Sequence, residues 1–316
     1  MVELTRALTS TRTGRALPAA ALAPYKLVVA DIEGTTTDIA FVHSTLFPYA
    51  RARLGEYLRD PAHARDPAVL DIVEALVSQS RIDGADDKFV PVIKHSTDLD
   101  EVVTYLEWLM SNDRKVAPLK TLQGLIWEHG YNAGTLRGHV YCDVVPALYY
   151  WHAVRVPVAI YSSGSVHAQK LLFGASEYGH LKPLLAAYFD TAVGPKTDAT
   201  SYTAILSRLA EQFPEMTLAA NDVLFLSDNP AELAAAAEAG WQVALAVRPG
   251  NPLVTDDAIA TYPTFTDFSQ LIAPHTHARP SSPIVAATKR ARSLSGPKPD
   301  VASSPESPAA KRHRKN

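Results

Sequence analysis

The sequence predicts an α/β fold: a doubly wound parallel sheet with an all-helical insert after its first strand. Three observations lead there. An apolar run, Tyr25 to Ala30, stops abruptly at the polar stretch Asp31-Ile32-Glu33-Gly34-Thr35-Thr36-Thr37. From Leu46 to about Asn132 only helical periodicity is present. Beyond it, strand-like and helix-like segments alternate as far as Val247. Short apolar runs suit strands buried on both faces, and regular alternation of strand and helix suits a parallel sheet.

In chain order, Lys-Leu-Val-Val-Ala up to Ala30 reads as a central strand followed by a Gly34-containing loop. Arg51 to Leu58, Ala68 to Val77, Leu99 to Met110 and Leu119 to Glu128 carry apolar residues three and four apart, the helical spacing. Pro61, Pro67, Pro91 and Pro118 punctuate them. Strands follow at Val156 to Tyr161, Tyr188 to Val193, Val223 to Leu226 and Val243 to Val247. The helices between them are Val166 to Phe173, Ser201 to Phe213 and the alanine-rich Pro230 to Ala239. Gly240 lies where a left-handed helix cap is common. Pro230 can open its helix, where a missing amide costs little.

A content of 47% hydrophobic and 20% charged residues over 316 residues suits a globular protein with a sizeable core. One cysteine, Cys142, excludes an intrachain disulfide and agrees with a reducing compartment. No apolar run approaches the ~20 residues that span a bilayer. The net charge of -3 is uneven: residues 275–316 carry nine Lys and Arg against two acids, so about -10 falls on the rest. So acidic a body argues against a nucleic-acid-binding domain. Residues 1–24, with Arg6, Arg12 and Arg15, share features with a mitochondrial transit peptide but read better as a flexible extension. Residues 273–316 read as a disordered basic tail. Its clusters Lys289-Arg290-Ala291-Arg292 and Lys311-Arg312-His313-Arg314-Lys315 fit either a nuclear localisation signal or a solvated tail.

The chemistry sits at strand ends. Asp31 and Glu33 end the first strand, Ser162, Ser163 and Gly164 the second; Lys196 follows the third and Asp228 ends the fourth. Taken singly, an Asp after a strand is commonly a turn or capping residue, and a lone Lys is commonly solvated. In a parallel sheet all four ends lie at one edge, where ligands bind, so the ordered set is expected to converge. Three acids can hold Mg2+, which prefers oxygen ligands. A lysine there would stabilise charge on phosphoryl oxygens, and Ser162, Ser163 and the amides near Gly164 would bind phosphate at a helix start. A carboxylate can also be a covalent nucleophile. Phosphoryl transfer is the chemistry these residues share.

The ordered set resembles the four motifs of the haloacid dehalogenase superfamily. Its first motif is usually Asp-x-Asp; here the second acid is Glu33, and Asp-Ile-Glu-Gly-Thr-Thr-Thr is similar to the acireductone synthase branch, the enolase-phosphatases of methionine salvage. Leu46-Phe47-Pro48-Tyr49, Asp143-Val144-Val145-Pro146, Tyr161-Ser162-Ser163-Gly164-Ser165-Val166, Ala168 to Gly174 and Val247-Arg248-Pro249-Gly250-Asn251 resemble the same branch. The resemblance covers about Tyr25 to Leu271. The fourth motif departs from the usual pattern, reading Ser227-Asp228-Asn229-Pro230-Ala231-Glu232, with a Pro after the Asp and Asn; Asp228 and Glu232 keep their places.

The resemblance implies a haloacid dehalogenase-like core of residues 25–49 and 136–272 and a helical cap of residues 50–135 that closes over substrate. It implies one Mg2+ per chain on Asp31, Glu33 and Asp228, with Asp31 as nucleophile and Glu33 and Lys196 as further catalytic residues. Ser162, Ser163 and Lys196 are implied to contact substrate. The implied reaction enolises 2,3-diketo-5-methylthiopentyl 1-phosphate and then hydrolyses it to acireductone; for the enolisation base, Glu33, Lys196 and a metal-bound water all stay open. Cap aromatics such as Trp108 and Trp127, and helical histidines such as His129, are expected to be structural. The expected partner is a small phosphate ester, with no membrane, nucleic acid met only weakly through the tail, and a monomeric chain in the cytoplasm with a nuclear pool if the tail directs one. Two alternatives are another Mg2+-dependent small-molecule phosphatase of the superfamily, and a nuclear interaction protein on an inactive phosphatase fold.

Overall fold

The computed structural model describes residues 22–272. The expectations for the N-terminal extension before residue 22 and for the basic tail lie outside the described residues.

The first strand, β1 (Leu27–Ala30), is followed by a short helix, α1 (Ile39–Phe41), and a π-turn over Val42–Leu46. Helices α2 (Phe47–Arg59), α3 (Pro67–Asp86), α4 (Leu99–Ser111) and α5 (Ala117–Asn132) come next, then α6 (Val144–Ala153). The alternating part runs β2 (Val158–Tyr161), α7 (Val166–Gly174), β3 (Ala187–Phe189), α8 (Ala199–Gln212), β4 (Val223–Ser227), α9 (Pro230–Glu238) and β5 (Gln242–Ala246). It ends with α10 (Asp256–Thr261) and β6 (Thr264–Phe265).

Among the described residues the strands form one six-stranded sheet in the order β3-β2-β1-β4-β5-β6, every pairing parallel. β1 is central and completely buried. Successive side chains of a strand face opposite sides, so Val28 and Ala30 join the core with α6 and α7, while Leu27 and Val29 join the one with α8 and α9. This is the doubly wound sheet that the alternation predicts. A third core, from Ala50 to Ile126, is formed by α2 to α5 among themselves. Trp127 and Tyr49 touch both this core and the α6/α7 side of the sheet. The Trp127 indole N–H donates to Leu46 O at 2.9 Å, tying α5 to the segment through which the chain enters the helical insert. His129 packs against His63 and Tyr57. Among the described residues no helix is long and apolar enough to cross a membrane.

The structure departs from the sequence reading in a few elements. Helix α3 runs on to Asp86 rather than ending at Val77. The added turns lose apolar periodicity but are anchored by Asp83, which accepts from Tyr105 Oη at 2.7 Å, Arg114 Nη2 at 3.0 Å and Gln79 Nε2 at 3.0 Å. Helix α6 was not among the elements read from the sequence, and it contains Pro146. The proline stands third in the helix, where an amide has no intrahelical partner to lose. Strand β3 stops at Phe189, since Asp190 turns aside to accept from the Val166 and Ala192 amides. Pro230 opens α9 and Gly240, at φ +84, lies just past its end, both where the sequence puts them.

Candidate active site

The loop after β1 is a tight turn. Ile32 O accepts from the amides of Thr35, Thr36 and Thr37, and Gly34 N–H donates back to Thr37 O at 2.8 Å. Gly34 takes φ +67, which glycine adopts without strain. A Cβ there would meet Asp228 Oδ2 at 2.2 Å, so this position also needs glycine for space. Asp31 is held at the strand end by its amide, which donates to Leu226 O at 2.9 Å. Arg248, 7% exposed, braces the turn from below. Its Nε donates to Thr35 O at 3.2 Å, while Nη1 reaches Asp143 Oδ2 at 2.7 Å and Thr266 O at 2.8 Å.

The other strand ends contribute in turn. After β2, Ser162 is buried and its Oγ accepts from Gly164 N–H at 3.3 Å, shaping the turn. Ser163 faces the cavity. Gln169, buried in α7, donates to Gly164 O and Phe189 O, both at 2.8 Å, which fixes this loop against β3. Ser165 caps α7. Lys196 lies well beyond β3 rather than at its end; Tyr202 Oη holds its carbonyl at 2.6 Å. After β4, Ser227 Oγ donates to Glu232 Oε2 at 2.8 Å, and Asn229 caps α9 through its bond from Ala231 N–H.

These ends surround one cavity of about 520 Å3. Its polar side is Asp31, Glu33, Ser163, Lys196, Asp228, Asn229 and Glu232; its apolar side is Ile39, Pro230 and the loop residues Pro252, Leu253 and Val254. Asp31, Glu33, Ser163, Lys196 and Asp228 of the strand-end residues named from the sequence therefore meet here; Ser162, buried beneath the loop, and Gly164 do not line it. Every lining residue comes from outside α2 to α5, so the helical insert does not wall the cavity in this conformation.

At the centre is a buried ion triad. Lys196 Nζ lies 2.7 Å from Asp31 Oδ1 and 2.6 Å from Glu232 Oε2, with all three side chains largely buried. Burial alone would lower the Lys196 pKa, but its two carboxylate partners outweigh this and raise it. One ammonium cannot offset four carboxylates. Glu232 is pushed up by burial and by Asp31. Glu33 is pushed up by the same two causes, and Asp228 rises to about 7, through burial first and then the Asp31 and Glu232 charges. The cavity is thus short of positive charge, and its donors are oxygens. Among the described residues no group of three acidic, imidazole or thiol side chains is placed to hold a metal ion by itself. Carboxylate oxygens short of positive charge fit Mg2+, which keeps several waters and takes one or two carboxylates plus substrate oxygens.

Sequence reasoning left two contributors without a role. Glu232 was noted for its place in the fourth motif and proves to be the second partner of Lys196. Val247 to Asn251 entered only as a resemblance, and Pro252, Leu253 and Val254, which line the apolar side of the cavity, had no reading; their apolar character just after the last predicted strand was the available signal.

A parallel sheet with a strand-end carboxylate, a buried lysine partner and further acids at one edge defines a hydrolase of the haloacid dehalogenase type, and the profile of haloacid dehalogenase-like hydrolases matches residues 25–240. The likeness is closer than that. The chain is 42% identical over 249 residues to enolase-phosphatase E1 of Drosophila yakuba, covering 78% of this chain and 92% of the relative. It is 44% identical to enolase-phosphatase E1 of Synechococcus elongatus, over 76% of this chain and 95% of the relative. Among solved structures, the UTR4 protein of Saccharomyces cerevisiae superposes with a TM-score of 0.59 at 35% identity, over 77% of this chain and 98% of that one. The chain belongs to the enolase-phosphatase E1 family of the haloacid dehalogenase-like hydrolases.

Proposed function

We propose that this protein is a Mg2+-dependent enolase-phosphatase that converts 2,3-diketo-5-methylthiopentyl 1-phosphate to acireductone and phosphate in methionine salvage. The observation that carries this reading is the meeting of Asp31, Glu33, Ser163, Lys196 and Asp228 on one cavity, in a chain of this family.

Asp31, Glu33 and Asp228 would hold one Mg2+, the cation their uncompensated charge invites. When bound, the ion supplies positive charge that offsets repulsion between carboxylate and phosphate and steadies enediolate and phosphoryl oxygens. Asp31 attacks phosphorus through a carboxylate oxygen. The bond from phosphorus to the substrate C1 oxygen breaks, and an aspartyl phosphate forms. Water then attacks phosphorus, which releases phosphate and restores Asp31. Lys196, hydrogen-bonded to Asp31 Oδ1, orients the nucleophile and places an ammonium beside the transferred group. Ser163 and the loop amides ahead of α7 bind the phosphate, and Ser162 supports that loop from beneath. Glu33 lines the same cavity with a side chain one methylene longer than Asp, and assists proton transfer in the enolisation. The helices of residues 50–135 act as a cap over the bound substrate.

The test supplies purified protein with the diketo phosphate and Mg2+ and follows ultraviolet absorbance and free phosphate together. Transient enol absorbance followed by phosphate is expected. Phosphate released from other esters but not from this one would remove the substrate assignment and leave the nucleophile standing. Glu33→Asp is expected to slow enol formation; both steps at the wild-type rate would remove the role given to Glu33.

A further inference from the structure

The loop between β5 and α10 sends one side chain back over the turn that carries Asp31. Asn251 Nδ2 donates to Gly34 O at 2.8 Å. This bond sets the orientation of the amide, since the flipped side chain would bring two oxygens together. Asn251 Oδ1 therefore points the other way, and it is buried with no hydrogen-bond partner. Its neighbour there is a metal-site carboxylate. The position of a Cβ on Gly34 would be 2.9 Å from Asn251 Oδ1 and 2.2 Å from Asp228 Oδ2, so both oxygens lie over the same face of Gly34. These distances put the two oxygens within roughly 5 Å of each other, and whenever Asp228 is ionised both are acceptors with no donor between them. Native proteins rarely leave such a group unmet, because a buried acceptor without a donor is costly.

We propose that Asn251 is a positioning residue of the metal centre: its Nδ2 pins the Gly34 carbonyl, and its Oδ1 accepts a hydrogen bond from a water carried by the cation on Asp228. The inference rests on the Mg2+ reading above and deepens it. Mg2+ gives up its waters reluctantly and is commonly held through them, and the groups that receive those waters orient the inner ligands. One side chain then couples the metal to the turn between Glu33 and Thr35, which keeps Asp31 and Asp228 in register. Glycine at 34 leaves the room the two oxygens need.

The test titrates metal-free wild type, Asn251→Ala and Asn251→Leu with Mg2+ while thermal unfolding is followed, with no substrate present. The Mg2+ concentration that gives half of the full stabilisation is expected to rise about tenfold or more in both variants. The unfolding midpoint without metal is expected to move little, since each variant loses one hydrogen bond but also one unmet acceptor. An unchanged Mg2+ half-point in both variants overturns the assignment. So does a lowered metal-free midpoint with an unchanged half-point, which would mark Asn251 as structural only. A wild type with no response to Mg2+ would overturn the metal reading itself and this role with it.

Discussion

Replacing Lys196 by Met keeps the length of the side chain and removes its charge. Asp31 and Glu232 then face each other without a cation, both largely buried. They now flank a single nitrogen, so their oxygens lie at most roughly 5 Å apart, and at an effective dielectric constant of 20 their repulsion is about 3 kcal/mol. This agrees with the cost of about 3–5 kcal/mol for breaking a buried pair from one side. For a domain of this size the unfolding midpoint of metal-free protein at pH 8 should fall by about 6–12 °C. The fall should shrink toward pH 6. Burial and Asp31 already raise the Glu232 pKa, and without the ammonium it rises further, so Glu232 takes up a proton on acidification and the repulsion is relieved. Adding Glu232→Gln should restore at least half of the loss at pH 8 while leaving phosphatase activity absent. Thermal unfolding followed by circular dichroism reads all three proteins. A fall of less than about 2 °C, or a double variant no more stable than Lys196→Met, would refute the reasoning.

Other consequences follow from the same cavity. Asp31→Asn should fold and lose phosphate release by about a thousandfold or more, checked by a phosphate assay under saturating Mg2+. Asp228 has its pKa raised to about 7. A carboxylate raised by folding holds its proton in the folded state at pH values where the unfolded chain has lost it, so metal-free wild type should lose stability from about pH 4 to about pH 7. Asp228→Asn should flatten this slope without abolishing it, because Glu33 and Glu232 are raised too, and should unfold at a higher temperature than wild type at pH 8 by a margin that narrows at pH 6. Leu253 is fully exposed on the apolar side of the cavity. If that side takes the methylthio end, Leu253→Ser should raise KM for the diketo phosphate about tenfold with kcat nearly unchanged, while KM for a small ester lacking that end stays as in wild type.

What the sequence made legible was whatever depends on local pattern and on strand order. Residues 27–30 read as a buried strand because every side chain in them is apolar, and a polar residue directly after such a strand has to appear at the sheet edge. That logic brought Asp31, Ser163 and Asp228 together. It did less for Lys196, because the strand before it is a short edge strand; the buried triad depends on Tyr202 holding the Lys196 backbone and on Glu232 in the first turn of α9. It could not separate Ser162 from Ser163, since only the burial of the turn shows which hydroxyl points inward. The place of Asn251 was not legible either. Its contact with Gly34 joins residues 217 apart in the chain, and no local spacing encodes such a pairing. Helix α6 was not read from residues 144–153; its Pro146 is tolerated because breaker rules apply to helix interiors and fail in the first turn.

The central claim is that Asp31 takes the phosphoryl group. The measurement that tests it most directly mixes enzyme, Mg2+ and the diketo phosphate, quenches within the first turnover in acid, and examines peptides by mass spectrometry. The account predicts that the peptide containing Asp31 carries one added phosphoryl group, that the label disappears as turnover completes, and that Asp31→Asn shows none. Rapid phosphate release with no phosphorylated Asp31 at any quench time, or with the label on another residue, would contradict it.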